Sequence, residues 1–295
     1  MFIRRLPKFE YHTPSSVKEA LELRSRYGGS ACFLAGGTDL LVAMKNRVCM
    51  PEHLISLTGI AEMKGISLNG NGELRVGALT TLAEIEYSDI VKEQFPALRD
   101  AVDVMASRQI RTMATIGGNL FAAVPSADTA PPLIALNASL TIAGNLGEQT
   151  MPVESLFTGP KQTCCTSGEI LVHIAIPKPE PFSGGCYLKL MRRQAMDLAL
   201  VGVAAYVKLD GKKGVCKDAR IALGAVAPTP IRVPEAEDLL VNKTIDEALA
   251  AQTAKIAGAR CYPITDIRAS LDYRCSMAEV LTRRAIMGAL RRISE

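Results

Sequence analysis

Leu34-Ala35-Gly36-Gly37-Thr38-Asp39-Leu40 is the stretch that decides the fold, and Thr115-Ile116-Gly117-Gly118-Asn119-Leu120 repeats its pattern further along the chain. Each glycine pair is preceded by apolar or β-forming residues and is followed by a residue with a short polar side chain. A Gly-Gly pair lets a ligand come close to the backbone and presents consecutive N–H groups as a nest for an anion. Two such loops predict one extended anion held from both sides, and a dinucleotide pyrophosphate is the candidate.

One Gly-Gly turn between a strand and a helix is usually only a turn, so the polar residues beside the two pairs matter. Thr38 offers a hydroxyl and Asn119 an amide N–H, and the helix predicted after Asp39 directs its positive end back at the first loop. On this interpretation, a branched side chain at Gly117 would occupy the path of the phosphates and abolish binding.

The composition is that of a folded globular protein. Hydrophobic residues make up 48% of the chain, and its 295 residues leave room for two domains, or one large one, with an ample core. The net charge of +4 is mild and the basic residues are scattered, so nucleic acid is not an expected partner. The longest apolar run, 198–207, is too short for a membrane span, and the eight dispersed cysteines indicate a reducing, cytoplasmic location.

The N-terminal part is predicted to begin with a small parallel sheet. Ser16 opens a capping box for an amphipathic helix that ends at Gly28-Gly29. Strands at 31–35 and 54–57 flank the first glycine turn and a helix from Asp39 to Arg47, as in a βαβ unit. Further strands are predicted at 73–79, 138–143 and 169–176, and helices begin after Thr81 and at Pro96.

A proline-rich segment at 177–185 marks the predicted boundary between two domains, because it excludes a helix or a central strand. Beyond it, strands at 187–191, 198–209 and 219–225 are predicted to form a three-stranded antiparallel sheet. Thr244 and Ser276 are predicted to cap two late helices. The segment 108–111 is interpreted as a linker into the second glycine turn.

Charged residues outside the glycine loops have two interpretations each. Asp128 either accepts a hydrogen bond from a ribose hydroxyl or caps a helix that starts near Thr129. Lys189 lies on an otherwise apolar strand, where a phosphate would serve as its counter-charge unless the strand is a solvated edge. Arg284 and Arg291 share one face of the last helix, either as a solvated stripe or as a subunit contact.

Several common sites are missing from the sequence. No G-x-G-x-x-G follows a strand and no G-x-x-x-x-G-K-[ST] occurs, which excludes a Rossmann site and a nucleoside-triphosphate loop. His12, His53 and His173 are isolated along the chain and are interpreted as structural. Cys164-Cys165 is the only close thiol pair, and adjacent cysteines rarely bind one metal. The sequence therefore predicts no metal site, and we name no acid, base or nucleophile.

At its two glycine loops the sequence resembles the FAD-binding, or medium, subunit of the molybdenum hydroxylases. This group includes carbon monoxide dehydrogenase, nicotinate dehydrogenase, xanthine dehydrogenase and 4-hydroxybenzoyl-CoA reductase. The resemblance covers nearly the whole chain. Besides the loops, it rests on Arg108-Gln109-Ile110-Arg111, Asp197-Leu198-Ala199-Leu200-Val201-Gly202-Val203, Asp266-Ile267-Arg268-Ala269-Ser270 and Tyr273-Arg274.

The resemblance implies an α+β fold with two domains. Residues 1–177 would form a two-part FAD-binding domain of the vanillyl-alcohol-oxidase (PCMH) type, with subdomains at 1–58 and 59–177. Residues 178–295 would form a C-terminal domain of three antiparallel strands with helices. Carried over residue by residue, the implied FAD contacts are Phe33, Leu34, Ala35, Gly36, Gly37, Thr38, Asp39, Leu40, Ala106, Thr115, Ile116, Gly117, Gly118, Asn119, Asp128, Leu171 and Lys189.

Two positions depart from the family pattern. Ala106 stands where the family often has glycine near the flavin. Relatives of the 4-hydroxybenzoyl-CoA reductase type insert a cysteine-bearing loop after the second glycine turn, whereas residues 119–128 contain no cysteine. We therefore expect no iron–sulfur cluster in this chain.

The function implied by the resemblance is electron transfer through FAD. Its partners would be a large molybdopterin-binding subunit and a small subunit with [2Fe–2S] clusters, and an external acceptor such as NAD would discharge the flavin. Two alternatives stay open: a stand-alone flavin oxidoreductase, and a cofactor-free scaffold subunit of the same fold. The organic substrate, the acceptor and the number of copies in the assembly do not follow from the sequence.

Overall fold

The computed structural model describes residues 5–294, which begin with a small parallel sheet. Strands β1 (Glu10–His12), β2 (Ala31–Leu34) and β3 (His53–Ser56) pair in the order β1-β3-β2. Helices α1 (Val17–Tyr27) and α2 (Leu40–Lys45) connect them. The predicted parallel sheet is confirmed, and β1 is a strand that the sequence analysis did not identify.

A five-stranded antiparallel sheet follows, in the order β4-β5-β10-β6-β7, with a separate pair, β8 and β9. These strands are β4 (Ile66–Leu68), β5 (Leu74–Gly77), β6 (Ser139–Gly144), β7 (Gly147–Pro152), β8 (Phe157–Gly159), β9 (Gln162–Thr163) and β10 (Ile170–Ile176). The helices of this part are α3 (Leu82–Glu86), α4 (Asp89–Gln94), α5 (Pro96–Asp103), α6 (Arg108–Arg111), α7 (Ile116–Phe121) and α8 (Ala130–Ala135).

The C-terminal part is a four-stranded antiparallel sheet with the last helix packed against it. Its strands are β11 (Ser183–Leu190), β12 (Val201–Leu209), β13 (Cys216–Gly224) and β14 (Ile231–Arg232). Its helices are α9 (Pro234–Leu240), α10 (Glu247–Ala259) and α11 (Leu271–Ser294). The sheet has one strand more than predicted, because β14 adds a two-residue edge beside β13.

Local predictions were wrong at three places. Ser276 lies inside α11, which begins at Leu271 with three exposed residues, so the start of the helix carries no apolar stripe for periodicity to detect. Asp246, not Thr244, caps α10, because its carboxylate accepts a hydrogen bond from the Leu249 N–H at 2.7 Å. The predicted linker 108–111 is the short helix α6, which the Ser107 side chain caps.

The last helix joins the C-terminal sheet to the preceding part of the chain. Arg292 on α11 forms hydrogen-bonded ion pairs with both carboxylate oxygens of Asp100 on α5, at 2.7 and 2.8 Å. Arg284 and Arg291 are exposed on the same helix, so both interpretations of that pair stay open. None of the helices within residues 5–294 has the length and hydropathy of a membrane span.

Candidate cofactor site

A cleft of about 680 Å³ lies where the two glycine segments meet the loop between β11 and β12. Its volume is typical of small-molecule and cofactor pockets. The predicted site residues in its wall are Phe33, Ala35, Gly36, Gly37, Thr38, Asp39, Leu40, Ala106, Thr115, Gly117, Gly118, Asn119, Asp128 and Leu171. Leu34, Ile116 and Lys189 are not part of that wall, and their contact with a cofactor stays a prediction.

The first glycine loop presents unpaired backbone donors. Within the part of the chain that the structure describes, the N–H groups of residues 36–40 donate to no acceptor, and the Thr38 hydroxyl has no partner. Gly37 has a φ of +72°, the left-handed region that glycine adopts without strain. Because α2 has only six residues, the amides themselves, rather than a helix dipole, are what an anion would meet here.

The second glycine segment is not a free turn but the first turn of α7, with Thr115 as its N-cap. Its backbone donors are already used, at distances of 2.9 to 3.1 Å. The bonds are Ile116 N to Thr80 O, Gly117 N to Ala78 O, Gly118 N to Thr115 Oγ1 and Asn119 N to Thr115 O. The expectation of a second anion nest was therefore wrong, since these amides are consumed by capping and packing.

Gly117 is required by packing rather than by the path of a phosphate. A Cβ on Gly117 would lie 2.7 Å from the Ala78 carbonyl oxygen and 2.8 Å from the Ala78 Cβ. Loss of a cofactor from a Gly117→Val variant would therefore report a displaced α7, and that substitution does not test phosphate contact.

Side chains of the second segment still provide donors. The buried Thr129 hydroxyl donates to Asn119 Oδ1 at 2.6 Å, which orients the amide. Asn119 Nδ2 then has no acceptor within the described residues and lies in the cleft wall. The first loop can donate hydrogen bonds through its backbone N–H groups, and the second segment can donate through the side-chain amide of Asn119.

Asp128 and Lys189 form a buried ion pair. The Lys189 ammonium lies 2.8 Å from Asp128 Oδ2 and also donates to the Val104 carbonyl oxygen, and Tyr187 donates to Asp128 Oδ1 at 2.8 Å. The two charged side chains are only 1% and 6% exposed. Lys189 thus has a carboxylate, not a phosphate, as its counter-charge, and Asp128 caps no helix, because Thr129 is the N-cap of α8.

The opposite wall contains a backbone contact between two strained residues. Ala106 and Met196 have φ values of +49° and +54°, and Met196 N donates to the Ala106 carbonyl oxygen at 3.1 Å. The positive φ explains why glycine suits the position of Ala106. The neighbouring Asp197 and Leu198 also line the cleft, although the sequence analysis assigned the segment from 198 onward to a strand.

Arg24 is a cleft residue that the sequence analysis missed. It is the only Lys or Arg among the described residues of the wall. Its Nε donates to the Ser167 carbonyl oxygen at 2.8 Å, while its Nη1 is buried without a hydrogen-bond partner among the described residues. An unpaired buried donor of this kind is costly, and an acceptor on a ligand would satisfy it. The helical pattern around it gave no sign of this.

Family comparisons agree with this site. Residues 7–179 match the FAD binding domain in molybdopterin dehydrogenase, and residues 186–289 match the CO dehydrogenase flavoprotein C-terminal domain. The chain belongs to the FAD-binding subunits of the molybdenum hydroxylases. The resemblance stated from the sequence is confirmed, and so are the α+β fold and FAD as the cofactor.

Relatives of this flavoprotein match it over almost its full length. The carbon monoxide dehydrogenase medium chain of Hydrogenophaga pseudoflava is 35% identical over 96% of this chain and 97% of its own. The xanthine dehydrogenase FAD-binding subunit of Escherichia coli O157:H7 is 32% identical over 95% of each chain. The solved structure of quinoline 2-oxidoreductase from Pseudomonas putida 86 superposes with a TM-score of 0.91 at 32% identity, covering 99% of this chain and 100% of that one.

The chemistry of the cleft in this flavoprotein fits FAD. A pyrophosphate needs several donors, and the unpaired amides of residues 36–40, the Asn119 amide and Arg24 Nη1 supply them. Flat ring systems need apolar walls, and Leu79, Met105 and Leu171 provide such surface.

Replacing Lys189 by Met tests the buried ion pair. We expect the free energy of unfolding to fall by about 3–5 kcal/mol, because Asp128 would be left buried without its counter-charge. Urea denaturation measures the change, and Lys208→Met, which removes a solvent-exposed ion pair with Glu180, is the control and should cost much less stability. Equal losses in the two variants would contradict the assignment.

The pH dependence of the Lys189→Met variant follows from the same pair. Burial raises the pKa of Asp128, and Lys189 opposes this rise. Without Lys189 the folded state binds the Asp128 proton more tightly than the unfolded state, so stability falls as the pH rises. The deficit relative to the unmodified chain should accordingly be larger at about pH 8 than at about pH 5.

Replacing Ala106 by Gly tests the strain in the cleft wall. We expect a gain of up to about 1 kcal/mol, seen as a higher Tm, because glycine adopts a positive φ without cost. Ala251→Gly in the interior of α10 is the control and should lower stability by about 0.5–1 kcal/mol. If both variants lose stability to the same extent, Ala106 is not strained.

Proposed function

We propose that this chain is the electron-transfer flavoprotein subunit of a heterotrimeric molybdenum hydroxylase. It would receive electrons from the [2Fe–2S] clusters of a small subunit and pass them to an external acceptor such as NAD. A large molybdopterin-binding subunit would oxidise the substrate. The observation that carries the proposal is the run of unpaired amides at 36–40 beside an apolar cleft in a chain of this family.

The residues of this chain bind and orient the cofactor. The amides of residues 36–40, Thr38 and Asn119 would hold the pyrophosphate, and Arg24 Nη1 would donate to a phosphate oxygen or a ring nitrogen. Bound FAD supplies the redox chemistry, which exchanges electrons in pairs or singly. The Met196–Ala106 contact would hold the 196–198 loop against the cleft and limit the access of water. We assign no acid or base.

An apolar surface beside the cleft supports a partner. Within 262–273 the exposed apolar side chains are Tyr262, Ile264, Ile267, Leu271 and Tyr273. This segment, which we call the 262–273 surface, is attached near the cleft, because Arg274 donates to both Asp266 and the carbonyl oxygen of Leu200, which lies two residues after the cleft residue Leu198. Groups of exposed apolar side chains often mark protein–protein interaction sites. We propose that the [2Fe–2S] subunit docks here, because its cluster must come close to the flavin.

A cytoplasmic location is part of the proposal. All eight cysteines are free thiols, although Cys32 Sγ and Cys49 Sγ lie only 3.9 Å apart. Free thiols at that separation are typical of a reducing compartment.

Flavin binding is tested with the full chain alone. After gentle purification we expect visible flavin absorbance, and Arg24→Met should weaken FAD binding roughly tenfold to a hundredfold, because a charge-assisted hydrogen bond contributes about 1.5–3 kcal/mol. Arg26→Met, an exposed arginine on the same helix, should bind FAD as the unmodified chain does. Absence of flavin in the unmodified chain would favour the cofactor-free scaffold, and equal affinity of the two variants would contradict the role of Arg24.

Partner docking is tested in the native complex. Ile267 is 98% exposed, so Ile267→Asp should leave the fold and FAD content intact while iron no longer co-purifies with the chain. Leu146→Asp in the β6–β7 hairpin is the matched exposed control and should retain iron. A monomeric chain with full turnover would instead identify a stand-alone oxidoreductase. Iron retained by the Ile267→Asp variant would exclude the 262–273 surface as the docking site.

A further inference from the structure

The N-terminal sheet brings two histidines and a glutamate together, contrary to the expectation that the histidines are isolated. His12 Nε2 lies 3.1 Å from His53 Nδ1, and Glu10 Oε2 lies 3.4 Å from His53 Nδ1 and 4.0 Å from His12 Nε2. Parallel pairing of β1 with β3 sets Glu10 beside His53, and Glu10 and His12 lie on one face because they are two residues apart. These residues are the Glu10–His12–His53 cluster.

The two imidazoles of the cluster are held in place by an aromatic side chain. The Tyr27 ring stacks on His53 with centroids 3.8 Å apart, and on His12 at 4.9 Å. The histidine side chains are 18% and 15% exposed, whereas Glu10 is 71% exposed. The nitrogens are therefore preorganised, the carboxylate is free to adjust, and the cluster is open to solvent on the Glu10 side.

The spacing of the three atoms matches a tetrahedral coordination face. With Zn–N and Zn–O bonds of about 2.0–2.2 Å, ligand atoms on one ion lie about 3.3–3.5 Å apart. The distances of 3.1 and 3.4 Å are close to this separation between ligand atoms. A small rotation of the exposed Glu10 side chain would shorten the 4.0 Å distance to the same range. Two imidazoles and one carboxylate are also a donor set that zinc prefers.

We propose that Glu10, His12 and His53 bind one Zn²⁺-like divalent ion, with water in the fourth position. The cluster is separate from the cofactor cleft, because none of its residues lines the cleft and His53 begins β3, whereas the first glycine loop follows the end of β2. The ion takes the place of the proton that one imidazole otherwise donates to the other. Because its ligands lie on β1 and β3, the ion stabilises the pairing of the N-terminal strand with the rest of the sheet.

Binding is tested on the full, tag-free chain with Co²⁺ as a spectroscopic substitute and Zn²⁺ as competitor. We expect one equivalent of Co²⁺ with tetrahedral absorption in the visible range, displaced by Zn²⁺, and a Tm that rises with added Zn²⁺. His12→Gln and Glu10→Gln should each weaken binding at least tenfold. His173→Gln should leave binding unchanged, because that histidine lies in another sheet, bonded to Thr141 and Arg75.

The outcomes separate this site from thiol sites elsewhere in the chain. Thiolate ligation from the Cys32–Cys49 pair would add a strong near-ultraviolet charge-transfer band that Cys49→Ser abolishes. That band, or tetrahedral absorption that persists in both His12→Gln and Glu10→Gln, would overturn the proposal, as would the absence of any tetrahedral signal. Because Glu10 is exposed, Glu10→Gln stays informative even where His12→Gln fails to fold.

Discussion

The cofactor cleft depends on one close approach between two backbone segments. A Cβ on Gly36 would lie 1.9 Å from the Met113 carbonyl oxygen, so the first loop can touch the segment that leads into α7 only as glycine. This contact holds the unpaired amides of residues 36–40 on the same cleft as the Asn119 amide. A side chain at Gly36 would move the two walls apart, and the donors would no longer converge on one ligand.

The two glycine pairs look alike in sequence but serve different physical purposes. At the first, glycine gives the backbone a positive φ and leaves its donors free. At the second, glycine allows α7 to pack against Ala78, and every amide from 116 to 119 already has an acceptor. A helix N-terminus whose amides are already capped has no backbone donors left for an anion, so only side chains can donate to a ligand there.

The sequence predicted the parallel sheet, three of the five strands of the middle sheet, three of the four C-terminal antiparallel strands and the family, because periodicity and the glycine motifs are local signals. It did not predict contacts that depend on long-range register. His12 and His53 meet only because β1 pairs with β3, and Lys189 meets Asp128 only because β11 lies beside the loop before α8. Nor does a glycine pair reveal whether its amides are already hydrogen-bonded, since two of the acceptors at the second pair, the carbonyl oxygens of Ala78 and Thr80, are distant in sequence.

The electrostatics of the cleft are compatible with a doubly charged ligand that would be held by free amides and one arginine. The wall contains four carboxylates, Asp39, Asp128, Glu169 and Asp197, and these would repel a pyrophosphate if they were unpaired. Three of them are compensated by donors: Asp128 by Lys189 and Tyr187, Glu169 by Thr166 and Gln149, and Asp197 by the N–H groups of Arg192 and Arg193. The fourth, Asp39, is exposed, where water screens its charge.

Apart from the exposed Asp39, the described residues of the wall keep unpaired donors: the amides of residues 36–40, Asn119 Nδ2 and Arg24 Nη1. The bare backbone of the cleft therefore presents positive partial charges, although four of the five charged side chains in its described wall are acidic. A count of charged side chains alone would predict a cleft that repels anions, whereas the donors that the fold leaves unbonded would attract one.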